Sequence, residues 1–218
     1  MPVFSYQDRQ IFFAHIPRAA GSSLENYVQS RGGSVWLLDR KHFKRRRLGL
    51  EVSLVSPQHW PGDYLGTVLA GARFSAVFAV VRHPVARLVS SLNFLRYWEQ
   101  LPRDLDMNQW IIDELPSAAN VNARLFDNHF LPQSKMCIPG QKTTIFRHED
   151  GLQGAKSLID TQLFQSPNSG EMPHSNSTAI RSPEPVFTPN DVTTDASRCI
   201  SEVYSEDFRI FRYEQKAF

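Results

Sequence analysis

Residues 12–27 read FFAHIPRAAGSSLENY, an apolar run followed by a loop of small residues and then a helical pattern. The apolar run, from Gln10 to Ile16, has the length and the Ile and Phe content of a buried strand, and a proline ends it. The pattern from Leu24 to Gln29 indicates the first turns of a helix, which Ser22 or Ser23 is available to cap. This stretch therefore predicts a strand, a short loop and a helix in succession.

A second apolar run predicts the same arrangement further along the chain. Phe74 to Val81 is apolar nearly throughout, which is typical of a parallel-sheet strand that is covered on both faces. Pro84 suits the first position of the next helix, because that position needs no N–H group. The helix has an apolar face at steps of three and four residues, made of Val85, Leu88, Val89, Leu92 and Leu95. Two such units predict an α/β fold of three layers, with a mainly parallel sheet flanked by helices.

The remaining patterns predict further helices and one long loop. Asn108 to Glu114 and Ala118 to Phe130 look helical, and residues 188–191, TPND, have the cap, proline and acid of a helix start. Residues 165–187 are rich in Pro, Ser and Asn, which predicts a loop of a length that is often functional or mobile. Because the chain has 218 residues and no internal repeat, we expect a single domain over residues 1–218.

Charge is nearly balanced over the whole chain but not along it. The net charge is +2, which argues against a nucleic-acid-binding protein. Residues 40–47, RKHFKRRR, nevertheless form a local cationic run. We expect a solvated face there, and the alternative is a docking patch for a polyanion.

Cysteine usage and hydropathy indicate the interior of a cell. Cys137 and Cys199 lack metal-ligand spacing and cannot make a disulfide framework, so we expect two buried, small hydrophobic residues in a reducing compartment. No window approaches the roughly 18 apolar residues of a membrane span, and the N-terminus lacks a basic start followed by an apolar segment. We expect a cytoplasmic protein without an integral membrane segment, and the sequence does not indicate its oligomeric state.

An anion site is predicted where the two strong strands end. Ligands of open parallel sheets bind beyond the carboxyl ends of the strands, where helix N-termini present N–H groups and a positive dipole end. Arg18 follows the first strand and Arg82 follows the second. Two loops that each carry an arginine predict a ligand with two separate anionic groups. The first loop lacks the spacing of a Walker phosphate loop, in which a second glycine precedes a lysine.

The residues near these arginines suit close approach by an anion. Small side chains let the backbone come near the ligand and hydroxyl groups add donors; the residues are Ala19, Ala20, Gly21, Ser22 and Ser23. Ser90 lies eight residues after Arg82, about two turns along the next helix. It is either a further donor to the ligand or a small packing residue.

Four segments, in family order, resemble sulfotransferase family 2. HIPRAAGSSL resembles the family's 5′-phosphosulfate loop, usually HIPKTAGTSL, and VVRHPVARLVSSL resembles its 3′-phosphate element. LPQ at residues 131–133 and EVYSEDFRIFRYE near the end resemble two further segments, so the resemblance spans nearly the whole chain. It implies a P-loop NTPase-like fold and the cofactor 3′-phosphoadenosine 5′-phosphosulfate (PAPS), which carries two anionic ends, with no metal required.

The first loop departs from the family pattern at two positions. Arg18 stands where the family has lysine, and Ala19 stands where it has threonine. The family's lysine supports charge on the leaving phosphate, so the resemblance implies this catalytic role for Arg18. Arginine keeps the charge but has a planar donor group, and the two residues are not interchangeable. The alternative is an enzyme that is weakened or retired at this position.

Histidine suits the general base that sulfuryl transfer requires, because its ordinary pKa is about 6.5. A carbohydrate-acting branch that the chain resembles has its catalytic histidine between the two phosphate elements, which implies His59, and Trp60 beside it could stack on a sugar ring. The alternative for this segment is a surface turn made by its two prolines and glycine. His174, in the long loop, could contact either substrate, and the alternative there is a solvated, flexible loop.

The implied function is transfer of a sulfuryl group from PAPS to a hydroxyl acceptor, a carbohydrate or glycolipid. One alternative is a nucleotide or metabolite kinase on a related fold, which should hold Mg²⁺ with a loop Ser or Thr and an Asp at a strand end. No Asp follows either strong strand directly. The other alternative is a catalytically retired protein that binds a nucleotide or a polysaccharide.

Overall fold

The computed structural model describes residues 2–50, 53–120, 125–167, 170, 172 and 186–215. Within these residues the strands are β1 (Val3–Tyr6), β2 (Arg9–Ala14), β3 (Ser34–Trp36), β4 (Ala76–Val81) and β5 (Thr144–Arg147). The α-helices are α1 (Gly21–Ser30), α2 (His42–Arg47), α3 (Gly62–Val68), α4 (Pro84–Tyr97), α5 (Met107–Asp113), α6 (Leu115–Ala118), α7 (Gln153–Ile159), α8 (Thr194–Val203) and α9 (Ser205–Ile210). A helix with the length and apolar character needed to cross a membrane is not found among the described residues.

These elements group into two compact units. The first unit draws on residues 1–39, 57–82 and 135–176, and it contains the described strands together with α1, α3 and α7. The second unit draws on residues 40–56, 83–134 and 177–218, and its described elements are helical.

The sheet of the first unit has the strand order β3-β1-β2-β4-β5. β2 pairs with β4, and β4 with β5, in parallel, whereas β1 is antiparallel to both of its neighbours. All the strands except β1 therefore run in one direction. The predicted α/β class, a mainly parallel sheet flanked by helices, is confirmed. The two strands expected from the sequence are β2 and β4, and the other three were not predicted.

Aromatic stacking supports the register of the two central strands. Phe13 of β2 lies opposite Phe78 of β4, and their ring centroids are 4.9 Å apart. Leu24, Tyr27 and Val28 of α1 are buried in the same apolar cluster. Burial of a large apolar side chain contributes about 1.5–3 kcal/mol, so this cluster holds α1 firmly against the strand from which its loop emerges.

A buried carboxylate ties α1 to the π-helical turn Asp160–Phe164, which continues α7. Asp160 accepts hydrogen bonds from three groups, which are the Tyr27 hydroxyl, Arg31 Nη1 at 2.5 Å and Lys156 Nζ at 2.9 Å. The bond to Asp160 raises the pKa of Lys156, because it stabilises the charged amine. This contribution to stability is complete below the ordinary lysine pKa of about 10.4 and is lost as the pH rises through the raised value.

Asp160→Asn should lower the free energy of unfolding by about 3–5 kcal/mol, because it removes the negative charge that Lys156 and Arg31 share. The matched control is Asp195→Asn, since Asp195 is an exposed residue that pairs with Arg198 at 3.2 Å on the surface and should matter little. Urea denaturation at pH 7 measures both variants. Equal losses would show that the buried carboxylate is no more important than an exposed one.

A buried arginine holds a loop of the second unit. Arg87 of α4 is fully buried and donates to the carbonyl oxygens of His129 at 2.9 Å and Leu131 at 3.0 Å. The Tyr204 hydroxyl donates to the carbonyl oxygen of Phe130 at 2.7 Å, and burial raises the pKa of this hydroxyl well above its usual range. The two side chains therefore satisfy three consecutive carbonyl groups of one segment.

Residues 204–208, YSEDF, have a Tyr-x-x-Asp-Phe pattern whose Asp also binds this segment. The fully buried Asp207 accepts hydrogen bonds from the backbone N–H groups of Gln133 at 2.7 Å and Ser134 at 2.9 Å. Phe208 lies in the apolar cluster that α4 forms in this unit. The LPQ segment at 131–133 is therefore hydrogen-bonded to the segment EVYSEDFRIFRYE. Both segments carry the family resemblance.

The predicted helix over Ala118–Phe130 is wrong in the part that the structure describes. α6 ends at Ala118, and residues 126–128 are left-handed, with φ of 51°, 53° and 57°. Asp127 turns inward there and accepts hydrogen bonds from the Ser56 N–H at 2.5 Å and the Ser56 hydroxyl at 2.9 Å. A tertiary contact therefore overrides the local helical preference.

Other predictions on the second half of the chain are met in part. The helix start expected at Thr188 is only a short 3₁₀ turn, in which the Asp191 carboxylate accepts from the Thr188 N–H at 2.7 Å, and α8 begins separately at Thr194. Most of the loop expected over 165–187 lies outside the described residues. Cys137 and Cys199 are half-buried rather than fully buried thiols.

Candidate functional site

The two arginines expected at strand ends lie next to each other. β2 and β4 are adjacent parallel strands, with Ala14 opposite Ala79, so their carboxyl ends meet at one edge of the sheet. Arg82 follows β4 directly, and Arg18 follows β2 after three intervening residues. Arg82 Nη1 donates a hydrogen bond to the carbonyl oxygen of Arg18 at 3.2 Å. The second cation therefore also fixes the loop that carries the first.

The loop after β2 is wound tightly through left-handed residues. Arg18 has a φ of 65° and Ala20 a φ of 70°, although neither is glycine. Such residues cost of order 1–3 kcal/mol each and cluster at ligand-binding sites. Where successive residues alternate between right- and left-handed conformations, their backbone N–H groups can form a concave anion site, called a nest. Arg18 and Ala20 are left-handed on either side of Ala19, an alternation that is compatible with a nest.

The predicted serine cap of α1 is wrong. The helix begins at Gly21 with Ala20 as its N-cap, no side chain caps it, and Ser22 and Ser23 lie inside the first turn. The reason is the left-handed turn, which starts the helix earlier than the apolar pattern suggests: the Ser23 N–H already donates to the Ala20 carbonyl oxygen at 3.1 Å. The positive end of the helix dipole therefore faces the same edge of the sheet as the arginines.

The buried side chains of His15 and Glu25 lie next to the loop. A Cβ atom at Gly21 would lie 2.3 Å from His15 Nε2, so the imidazole fills the space that any larger residue would need. His15 Nδ1 lies 2.7 Å from Glu25 Oε1, a pairing that is poorly aligned for a hydrogen bond, and both side chains are buried. Glu25 belongs to α1, so this pair links the end of β2 to the helix that follows it.

Gly21→Ala should lower the free energy of unfolding by about 1–3 kcal/mol, because the new methyl group must displace the His15 ring. Gly66→Ala is the matched control, since its Cβ would meet Ile138 at 3.4 Å, an ordinary contact, and alanine favours the helix. Urea denaturation measures both. His15→Ala in the Gly21→Ala background makes room for the methyl group, so the two losses should be less than additive. Additive losses would show that the packing of His15 on Gly21 is not the constraint.

His59, the residue expected to act as a base, packs against the His15 ring. It ends a 3₁₀ turn over Pro57–His59, which Gln58 holds by accepting from the Asp39 N–H at 2.8 Å and donating to the Asp39 carbonyl oxygen at 3.2 Å. The His59 ring is 6% exposed, and its centroid lies 5.0 Å from that of His15, edge to face. The interpretation as a simple surface turn is therefore incomplete, because the histidine points into the unit.

Trp60 has an aromatic neighbour, Tyr64, that was not predicted from the sequence. The ring of Tyr64, in α3, lies 5.1 Å from that of Trp60 at an interplanar angle of 87°. Trp60 is half-buried, whereas Tyr64 is 49% exposed. The signal in the sequence was the spacing of two aromatic residues four apart at the start of a helix. Together they present an amphipathic surface next to His59 in the chain.

His148 is a further histidine at this edge of the sheet. It follows β5, whose last residue, Arg147, lies opposite Val81 of β4, so His148 and Arg82 follow neighbouring strands. Burial lowers the pKa of His148, the positive charge of Arg82 lowers it further, and Glu149 opposes both. The folded protein therefore binds this proton less readily than the unfolded chain does, and stability falls as the pH drops below about 6.5, until the lowered pKa is reached.

Arg82→Gln should raise the pKa of His148 towards its ordinary value, because it removes the nearby positive charge. Arg9→Gln removes the same charge within the first unit at the start of β2, the end of the strand away from this edge, and should leave the pKa nearly unchanged. The titration of the imidazole resonances, followed by NMR between pH 5 and pH 8, measures the effect. If the two variants gave the same His148 titration, Arg82 would not act on this histidine.

The other predicted site residues lie as follows. Ala19 is fully buried within the loop, and Ser23 is buried in α1, whereas Ser22 is half-buried. Ser90 is a half-buried residue of α4, in the second unit, and its role as a donor stays a prediction. His174 lies outside the described residues.

Comparison with known proteins identifies a family for nearly the whole chain. The model of the family described as "Sulfotransferase family" matches residues 2–214. Searches of curated proteins and of solved structures found no match.

Proposed function

The chain belongs to sulfotransferase family 2, and on that premise we propose that it transfers a sulfuryl group from PAPS to a hydroxyl group of a carbohydrate or glycolipid. The observation that carries the proposal is the hydrogen bond between Arg82 and the carbonyl oxygen of Arg18, at the ends of adjacent parallel strands. PAPS has anionic groups at both ends, and two cations at one edge of the sheet suit a ligand of that charge distribution.

The residues of the first loop fit the phosphosulfate end of this donor. The left-handed turn and the start of α1 offer backbone N–H groups and a positive dipole, and Gly21 has no side chain to block them. Ala19, Ala20, Ser22 and Ser23 are proposed to line the same end, and Arg82 is proposed to bind the 3′-phosphate. When bound, PAPS supplies the sulfuryl group and departs as adenosine 3′,5′-bisphosphate.

Two side chains are proposed to act on the reacting atoms. His59 takes the proton of the acceptor hydroxyl as the acceptor oxygen forms its bond to sulfur. Arg18 stabilises the negative charge that develops on the leaving phosphate oxygen as the sulfur–oxygen bond breaks, and its planar guanidinium can donate to two oxygens at once. The burial of His59 against His15 restricts its orientation and limits its contact with water.

The acceptor class is proposed from the aromatic pair next to the base. Trp60 and the half-exposed Tyr64 present ring faces and polar atoms together, which suits the apolar face and hydroxyl groups of a sugar. A small anionic metabolite would use neither ring. The kinase alternative lacks support in the first loop, which does not have the spacing of a Walker phosphate loop, and neither β2 nor β4 is followed directly by an Asp.

Transfer of labelled sulfate from PAPS to glycan, glycolipid and small-molecule fractions, with and without EDTA, tests the proposal. We expect metal-independent labelling of a carbohydrate fraction. His59→Ala should lower turnover about 10²–10⁴-fold, the usual contribution of a general base, with little change in affinity for adenosine 3′,5′-bisphosphate. Added imidazole should restore part of the lost activity, because it can accept the proton in place of the side chain.

Three results would contradict these assignments. Loss of nucleotide binding in His59→Ala would indicate that the histidine supports the loop and is not the base. Phosphoryl transfer from ATP that EDTA abolishes would favour the kinase. Tight binding of the bisphosphate without turnover on any fraction would favour a retired nucleotide-binding protein, in which Arg18 no longer serves catalysis.

A further inference from the structure

The cationic run continues into a pair of leucines, and residues 40–50 are here named the basic-leucine segment. Its sequence, RKHFKRRRLGL, contains six Lys and Arg residues and no acid. The remaining 18 Lys and Arg residues of the chain are fewer than its 22 Asp and Glu residues. An anionic surface would therefore attract this segment and repel the rest of the chain on average.

The start of α2 anchors the segment in the second unit. His42 is 1% and Phe43 is 8% exposed. The Phe43 ring packs edge to face on Phe94 at 5.4 Å and stacks on Trp98 at 6.2 Å. The guanidinium of Arg47 lies 5.7 Å from the centre of the Trp98 ring. The segment is thus a fixed part of the surface and not a loose tail.

The charged and apolar side chains that follow this anchor are turned to solvent. Lys44 and Arg47 are exposed, and Arg46 is half-buried. Leu48 is 62% and Leu50 is 54% exposed, directly after the cations. Single exposed leucines are common on protein surfaces, but two of them next to a cluster of cations combine the two properties of a peripheral membrane-binding surface.

We propose that the basic-leucine segment docks on an anionic phospholipid bilayer. The cations would lie among the acidic headgroups, where each contributes to affinity, and the two leucines would enter the boundary with the acyl chains. A sulfated or carboxylated polysaccharide would also attract the cations, but it offers no apolar phase for Leu48 and Leu50. The leucines therefore favour the bilayer. This inference does not depend on sulfuryl transfer, and binding and turnover can fail independently.

Sedimentation of the full chain with vesicles tests the proposal. We expect binding to phosphatidylcholine vesicles that contain phosphatidylglycerol, and much weaker binding to phosphatidylcholine alone. Raising the salt concentration from about 0.1 M to about 1 M should weaken the binding, because the screening length falls from about 10 Å to about 3 Å. Equal binding to both kinds of vesicle, or none to either, would overturn the proposal without any variant.

Two sets of variants locate the surface. Lys44→Gln, Arg46→Gln and Arg47→Gln together should lower vesicle affinity on the order of 100-fold, and Leu48→Ser with Leu50→Ser on the order of tenfold. The charge-matched control is Arg73→Gln, Lys142→Gln and Arg209→Gln, all exposed positions. The apolar control is Ile112→Ser with Ile210→Ser, which are 41% and 44% exposed. Both controls should bind like the unmodified chain, and thermal melting confirms that each variant is folded.

The same variants distinguish a bilayer from a polyanion as the binding partner of the segment. Equal losses in the segment variants and in their controls would overturn the location of the surface. Full vesicle binding by the leucine variant would show that the leucines do not enter the bilayer. That result, or binding to heparin without binding to vesicles, would indicate a polyanionic partner in place of a bilayer. Sedimentation and heparin chromatography read out binding alone, so an inactive preparation does not affect the answer.

Discussion

The site depends on the parallel pairing of β2 with β4. This pairing brings the carboxyl ends of two strands that are about 65 residues apart in the chain to one edge of the sheet. Arg82 then reaches the carbonyl oxygen of Arg18, so one cation stabilises the backbone turn that presents the other. Without this register the two arginines would not lie together, and the two-ended anion site that we propose could not form.

Three buried polar side chains lie next to the first loop. The His15 ring occupies the space next to Gly21, Glu25 approaches that ring from α1, and the His59 ring packs edge to face with it at 5.0 Å. The close approach of His15 Nδ1 to Glu25 Oε1, at 2.7 Å, links the end of β2 to the helix that follows the loop.

Strong local patterns were sufficient to predict part of the fold. The apolar runs identified β2 and β4, and Pro84 marked the start of α4, because a covered parallel strand and an N1 proline leave clear signals. Short elements with mixed polarity, such as β1, β3 and β5, left none. The predicted helix over Ala118–Phe130 failed because the Asp127 carboxylate is satisfied by Ser56, a residue distant in sequence, which no local pattern reports.

The amino-acid sequence is enough to say which residues the candidate site contains: the cations and small residues that follow each strand, and the nearby histidines and aromatic residues. Their arrangement follows from tertiary packing. The fold brings Arg82 within hydrogen-bond distance of the Arg18 carbonyl oxygen, and it packs the His15 ring against Gly21. It also packs the Tyr64 ring against Trp60 and places His148 and Arg82 after neighbouring strands. Such contacts depend on strand order and burial, which are decided by the packing of the unit and not by neighbours in the chain.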